Sequence, residues 1–135
     1  MNAPEVIATP LTLSALPPLG GELDGGTFVG LITDKQGQHH AVALLPDKPV
    51  NDEELTWRKA MDWAKDVGGE LPQRPVSALL FANAKDQFEG TWYWTGEEFG
   101  GSYAWYQYFG GGLQSSDHKG NTLRARAVRL IQLTA

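Results

Sequence analysis

An α+β domain is predicted by three observations. Strand-forming and helix-forming stretches fall in separate blocks, glycine-rich turns divide them, and 135 residues suit one domain. The 16 glycines imply many tight turns, and five tryptophans beside four tyrosines and five phenylalanines supply large apolar area for a core.

Residues 1–20 carry Pro4, Pro10, Pro17 and Pro18 among small apolar residues. Proline removes a backbone donor and resists helix, so this stretch reads as an extended arm, either lying on a neighbour in an oligomer or loosely ordered. Residues 21–135 read as one domain. Thr27–Thr33 and His39–Leu45 read as two strands joined by the turn Asp34-Lys35-Gln36-Gly37, a β-hairpin. Asn51-Asp52-Glu53-Glu54 is expected to open the first helix, with Asn51 as cap and the acids against the positive end of the dipole. Trp57, Ala60, Met61, Ala64 and Val67 recur at helical spacing and should face the core, and Gly68-Gly69 should end the helix. Leu71-Pro72 leads to a second helix with Pro75 in its first turn and Val76, Leu79 and Leu80 as its buried stripe. From Gly90 the pattern turns to β: Thr91–Thr95, Ser102–Phe109 and Leu123–Leu133 are the expected strands, forming an antiparallel meander.

Composition narrows the function. The formal charge of −5 argues against general nucleic-acid affinity, which depends on neutralising phosphate. The absence of cysteine removes disulfides, thiol nucleophiles and thiolate metal sites. No apolar run reaches membrane-spanning length, and the start lacks the charged flank and apolar stretch of a signal peptide. A soluble chain made in the cytoplasm is expected, and a virion position fits the same features.

The C-terminal half resembles the Lcl C-terminal family, a family of C-type-lectin-like domains found in bacteria and prophages. Gly69-Glu70-Leu71-Pro72-Gln73-Arg74 resembles its W-R-L-P-T-R start of the second helix, and Trp92–Glu98 its Y-W-S-S-T-E strand. Tyr103-Ala104-Trp105 through Phe109 and Gly111-Gly112 resembles its A-W…F…G strand and turn, and Arg124–Arg129 its closing V-R-C-V-R. The set spans about residues 69–131. Gly25–Gly30 is similar to the opening of phage-borne members. Gln73 and Glu70 depart from the family's threonine and arginine. The resemblance implies a C-type-lectin-like fold and a phage or prophage recognition role. The wider superfamily includes formylglycine-generating enzymes, whose chemistry uses cysteines that this chain lacks. The acid–proline–asparagine loop and Trp-Asn-Asp strand of calcium-dependent lectins are also missing.

Trp92, Trp94, Trp105 and Phe109 admit two readings, a stacking platform for a sugar or base and core packing; core is expected for Trp94 and Trp105. By strand alternation Tyr106 and Tyr108 lie opposite Trp105 and are candidates for an exposed contact surface. Glu97, Glu98 and Asp117 could serve as acids in glycoside hydrolysis, but adjacent carboxylates on a strand diverge and solvated loop acids are the simpler reading. His39, His40 and His118 lack the spacing of a zinc site, and no metal or other cofactor is expected. Asp117-His118-Lys119 and Arg124, Arg126 and Arg129 make the tail locally basic, suiting a phosphate or acidic partner, or salt bridges to the acidic helix.

The segment from Gly96 to Asn121 is expected to form a long Gly- and Tyr-rich loop surface. The expected function is non-enzymatic recognition of a host or bacterial protein or a surface glycan. The contact residues would be Glu97, Glu98, Tyr103, Tyr106, Tyr108, Gln114, Asp117, His118, Lys119 and Arg124. The alternatives are a cell-wall glycan-acting enzyme using the loop carboxylates and a virion subunit that forms homo-oligomers through its arm.

Overall fold

Strand pairing brings the two halves of the chain together. The computed structural model describes residues 11–134. The first short strands are β1 (Leu11–Thr12) and β2 (Glu22–Leu23), followed by the hairpin β3 (Gly26–Thr33) and β4 (His39–Leu44). Helices α1 (Trp57–Asp66) and α2 (Arg74–Ala84) come next, then the strands β5 (Trp92–Glu98), β6 (Tyr103–Tyr108) and β7 (Gln114–His118). The last strand, β8 (Val128–Thr134), returns to the first sheet. The result is an α+β fold with a five-stranded mixed sheet, ordered β1-β8-β4-β3-β2, and a three-stranded antiparallel meander, β5-β6-β7.

The hairpin follows its turn chemistry. The Asp34 carboxylate accepts the backbone N–H of Gln36 and Gln38, and Gly37 takes φ +81°. A register shift between Phe28 and Gly30 bulges β3. Gly30, at φ +138°, lies where a Cβ would sit 2.9 Å from Leu79, so α2 packs close to the strand there. Asn83 on α2 donates to the Val29 carbonyl at 2.7 Å and fixes that approach.

α1 starts later than its acidic prelude suggests. Thr56 is the cap, with its hydroxyl facing the Lys59 N–H, while Asn51 and Asp52 sit in a 3-10 turn with φ of +56° and +53°. Tertiary pairing overrides the local pattern: Leu55 exchanges both backbone hydrogen bonds with Leu123, which holds this stretch extended. Trp57, Ala60 and Ala64 are buried as the spacing predicts, and Met61 and Val67 pack at the margin. Gly68 ends α1 at φ +85°, its N–H bonded to the Lys65 carbonyl and that of Gly69 to Ala64, a Schellman closure.

α2 begins with Pro75 in its first turn and fills the wedge between the two sheets. Val76, Leu80 and Ala84 meet Val29, Val42 and Leu44 on one side and Tyr93 and Phe109 on the other. α1 covers the opposite face of the meander, where Trp57, Ala60 and Ala64 pack on Trp94 and Ala104. The outer face of the five-stranded sheet buries Phe28, Ala41, Ala43 and Ile131.

Three expectations need correction. The expected strand Leu123–Leu133 is two things: Leu123 pairs with Leu55 and Arg124 with β5, and only from Val128 does β8 pair with β4. β7 was expected as loop, because Gln114-Ser115-Ser116-Asp117-His118 has no β-branched or aromatic residue; pairing with β6 makes it a strand. The Gly96–Asn121 surface is therefore largely sheet. Of the expected arm, residues 1–10 lie outside the described residues. Residues 11–20 lie on the chain's own sheet: β1 pairs in parallel with β8, and Leu11 and Leu16 pack on its outer face. No helix among the described residues is long and apolar enough to cross a membrane.

Candidate functional site

The meander has two faces, and register assigns every side chain to one of them. Trp92 pairs with Tyr108, Trp94 with Tyr106, Tyr106 with Ser115, and Ala104 with Asp117, so these residues share one face. Tyr93, Thr95, Trp105, Gln107, Gln114, Ser116 and His118 occupy the other.

On the first face α1 covers one end only. Trp94 is fully buried there, and its indole N–H donates to the Leu55 carbonyl at 2.8 Å. Two residues earlier Trp92 is 46% exposed, and its ring stacks on Tyr108 with centroids 5.6 Å apart. Beside this pair lies a cleft of about 270 Å³ lined by Glu54, Trp92, Tyr106, Asp117, Thr122 and Leu123. Thr122 donates its hydroxyl to Glu54 at 3.3 Å. Asp117 Oδ1 accepts from the Asn121 side chain at 2.8 Å and from the His118 backbone at 2.7 Å. The cleft therefore offers two carboxylates, a hydroxyl and aromatic faces, and no cation among the described residues lines it. The nearby cations are engaged elsewhere: Arg124 pairs with Asp52, and Lys119 with Glu98.

The residues expected to form one surface are thus divided. Tyr106 and Asp117 line the cleft, and Tyr108 lies beside it, stacked on Trp92. Tyr103 lies edge-on to His118 at the far margin, with centroids 5.7 Å apart. Lys119 bonds Glu98 and the Gly101 carbonyl, and its ammonium lies 4.8 Å from the Trp57 ring centroid. This clamp fastens α1 to the covered end.

Gln114 is structural: its amide donates to the Arg74 and Gln107 carbonyl oxygens at 2.8 and 2.9 Å and accepts from Arg74 Nε at 2.9 Å. Glu97 accepts the first backbone N–H of α2, from Arg74, at 2.8 Å. Arg124 stands with its Asp52 partner beside β5 and is not part of the cleft lining. Trp105, expected in the core, is only half-buried; it lies under the Arg74 guanidinium, 3.5 Å from its ring centroid, with Phe99 against its edge.

The cleft also holds residues that the sequence does not single out as binders. Glu54 reads as a helix-dipole acid, and Thr122 carries no pattern at all. Both reach the site because the 53–56 and 121–125 stretches pair with each other through Leu55 and Leu123. Trp92 is one of the weighed aromatics, and its exposure depends on how far α1 reaches over this face. Among the described residues no three His, Cys, Asp or Glu side chains are grouped so as to hold a metal ion.

On the second face, burial pushes the Tyr93 phenol above its ordinary range. Burial also lowers the pKa of Arg126, whose guanidinium is held by the Gln87 and Leu45 carbonyls at 2.8 and 3.0 Å. These groups support the fold around the site.

No family model matches the chain, and no curated protein matches it.

Proposed function

We propose that the protein is a non-enzymatic recognition module that binds a surface glycan at the open end of the meander face. The observation that carries the reading is the exposed Trp92–Tyr108 stack beside the acid-lined cleft of Tyr106, Asp117, Glu54 and Thr122. Sugar rings present apolar C–H faces that suit stacking on aromatic side chains, and their hydroxyls suit carboxylate acceptors. With two carboxylates and no cation among the described lining residues, the cleft favours neutral or amine-bearing sugars over acidic ones. The order of hairpin, two helices and meander, with the resemblance over residues 69–131, supports a C-type-lectin-like arrangement and a phage or prophage setting. Glu54 and Asp117 share the cleft, so glycan hydrolysis is the second reading.

Tryptophan fluorescence titration with N-acetylglucosamine, glucosamine and galacturonate trimers tests the proposal. The neutral and amine-bearing trimers should shift the emission saturably and the acidic trimer should not; Trp92→Ala should abolish the response. Release of shorter sugars during incubation would favour the enzyme. No response to any trimer at saturating concentration would overturn the glycan reading.

A further inference from the structure

A second concavity lies on the other side of the molecule, where the wedge between the two sheets opens at the start of α2. Its volume is about 400 Å³, within the range of about 300–1,000 Å³ common for small-molecule sites. The wedge stays open here because α2 begins at Arg74, so no earlier turn of helix fills the space between β3, β8 and the end of β5. Ile32, Val76 and Leu130 give it an apolar floor. Three polar groups converge on it from different elements: Asp34 from the hairpin turn, His40 from β4 and Glu97 from β5.

Each of these groups is held in place. Asp34 Oδ2 lies 2.9 Å from His40 Nε2, while its other oxygen accepts two backbone N–H bonds. The His40 bond and those amides hold the Asp34 carboxyl below its ordinary range, so it is ionised at neutral pH. Glu97 Oε2 accepts the Arg74 N–H at 2.8 Å, which leaves Oε1 without a hydrogen-bond partner among the described residues. Two basic side chains share the lining: Lys35, exposed at the turn on a long side chain that can stay in solvent, and His40, which is already bonded to Asp34, so Glu97 is the carboxylate without a basic partner among the described residues. An apolar floor under two fixed carboxylates suits a cation with an apolar body.

We propose that this pocket binds a small primary amine, with its ammonium between Glu97 and Asp34 and its hydrocarbon part on Ile32, Val76 and Leu130. The site is separate from the aromatic cleft and does not depend on the glycan reading.

The test is a two-dimensional amide NMR titration of the full chain with benzylammonium, benzyl alcohol and benzoate. Benzylammonium should bind saturably, shifting Ile32, Val76, Glu97 and Leu130, and at least roughly tenfold more tightly than either of the others, the scale of one charge-assisted contact. Glu97→Gln keeps an acceptor for the Arg74 N–H and should weaken the amine by about tenfold. Gln73→Arg is the second variant. Gln73 is exposed on the rim and makes no side-chain cap bond, so the fold tolerates the change, and the new guanidinium should compete with the amine. Equal binding of amine and alcohol, shifts confined to other surfaces, no saturable shift, or an affinity unchanged in Gln73→Arg would each overturn the proposal.

Discussion

Trp94 and Trp92 lie two residues apart on the same face of β5, yet one is fully buried and the other is 46% exposed. Strand alternation treats them alike; α1 does not. Where Trp57, Ala60 and Ala64 lie over the meander, an aromatic side chain becomes core. Beyond the reach of α1, the same residue type becomes a displayed surface, flanked by Tyr108 and the acids of the cleft. The difference between core and site is thus set by how far a helix reaches over the face.

The largest effect should come from the covered end. Trp94→Ala removes a buried indole and the hydrogen bond to the Leu55 carbonyl, at an expected cost of about 3–5 kcal/mol in urea unfolding. Trp105→Ala, which removes a half-buried ring from beneath Arg74, should cost about 1–2 kcal/mol, given that a cation–π contact of this kind contributes about 0.5–1 kcal/mol. A Trp105 variant as damaging as Trp94→Ala would show that the Arg74 stack is part of the core.

The open end should behave in the opposite way. Trp92→Ala is expected to change stability by less than about 1 kcal/mol, because a largely exposed ring gives up little buried area. The same change should remove glycan binding. Urea unfolding beside the fluorescence titration separates the two effects. A Trp92 variant that loses several kcal/mol would mean that the stack on Tyr108 holds the fold, and the comparison of the two ends would fail.

Much of this architecture was legible from the chain. The hairpin was visible in its turn residues, α1 in the spacing of Trp57, Ala60 and Ala64, and α2 in Pro75 and its apolar stripe. What was not legible depended on partners distant in sequence. β7 is a strand because β6 pairs with it, and its polar residues carry no such preference alone. The Asn51 cap pattern lost to the Leu55–Leu123 pairing, which also carried Glu54 and Thr122 into the cleft. For the site, alternation correctly put Tyr106 and Tyr108 opposite Trp105, but it could not say which end of their face a helix would cover. Charged candidates such as Glu98, Lys119 and Arg124 were found by residue type alone, and the fold uses them in ion pairs.

The smallest expected effect tests how the covered end is fastened. Lys119 bonds Glu98 and lies over Trp57, so this exposed ion pair sits at the seam between α1 and the meander. The hydrogen bond from Lys119, and next its charge, hold the Glu98 carboxyl below its ordinary value of 4.5. A carboxyl whose pKa is depressed in the folded state contributes stability above its unfolded pKa, and that contribution is lost as pH falls through the folded pKa. Glu98→Gln should therefore lower the thermal midpoint slightly at neutral pH, and the difference from the parent should close in strongly acid buffer, where the parent's carboxyl is protonated as well. Added salt should shrink the neutral-pH difference too, since exposed pairs are screened. A difference that persists undiminished in acid would show that the Glu98 side chain supports the seam by packing rather than by charge. The fastening of α1 would then rest on Trp57 and its hydrogen bond to the Thr95 carbonyl.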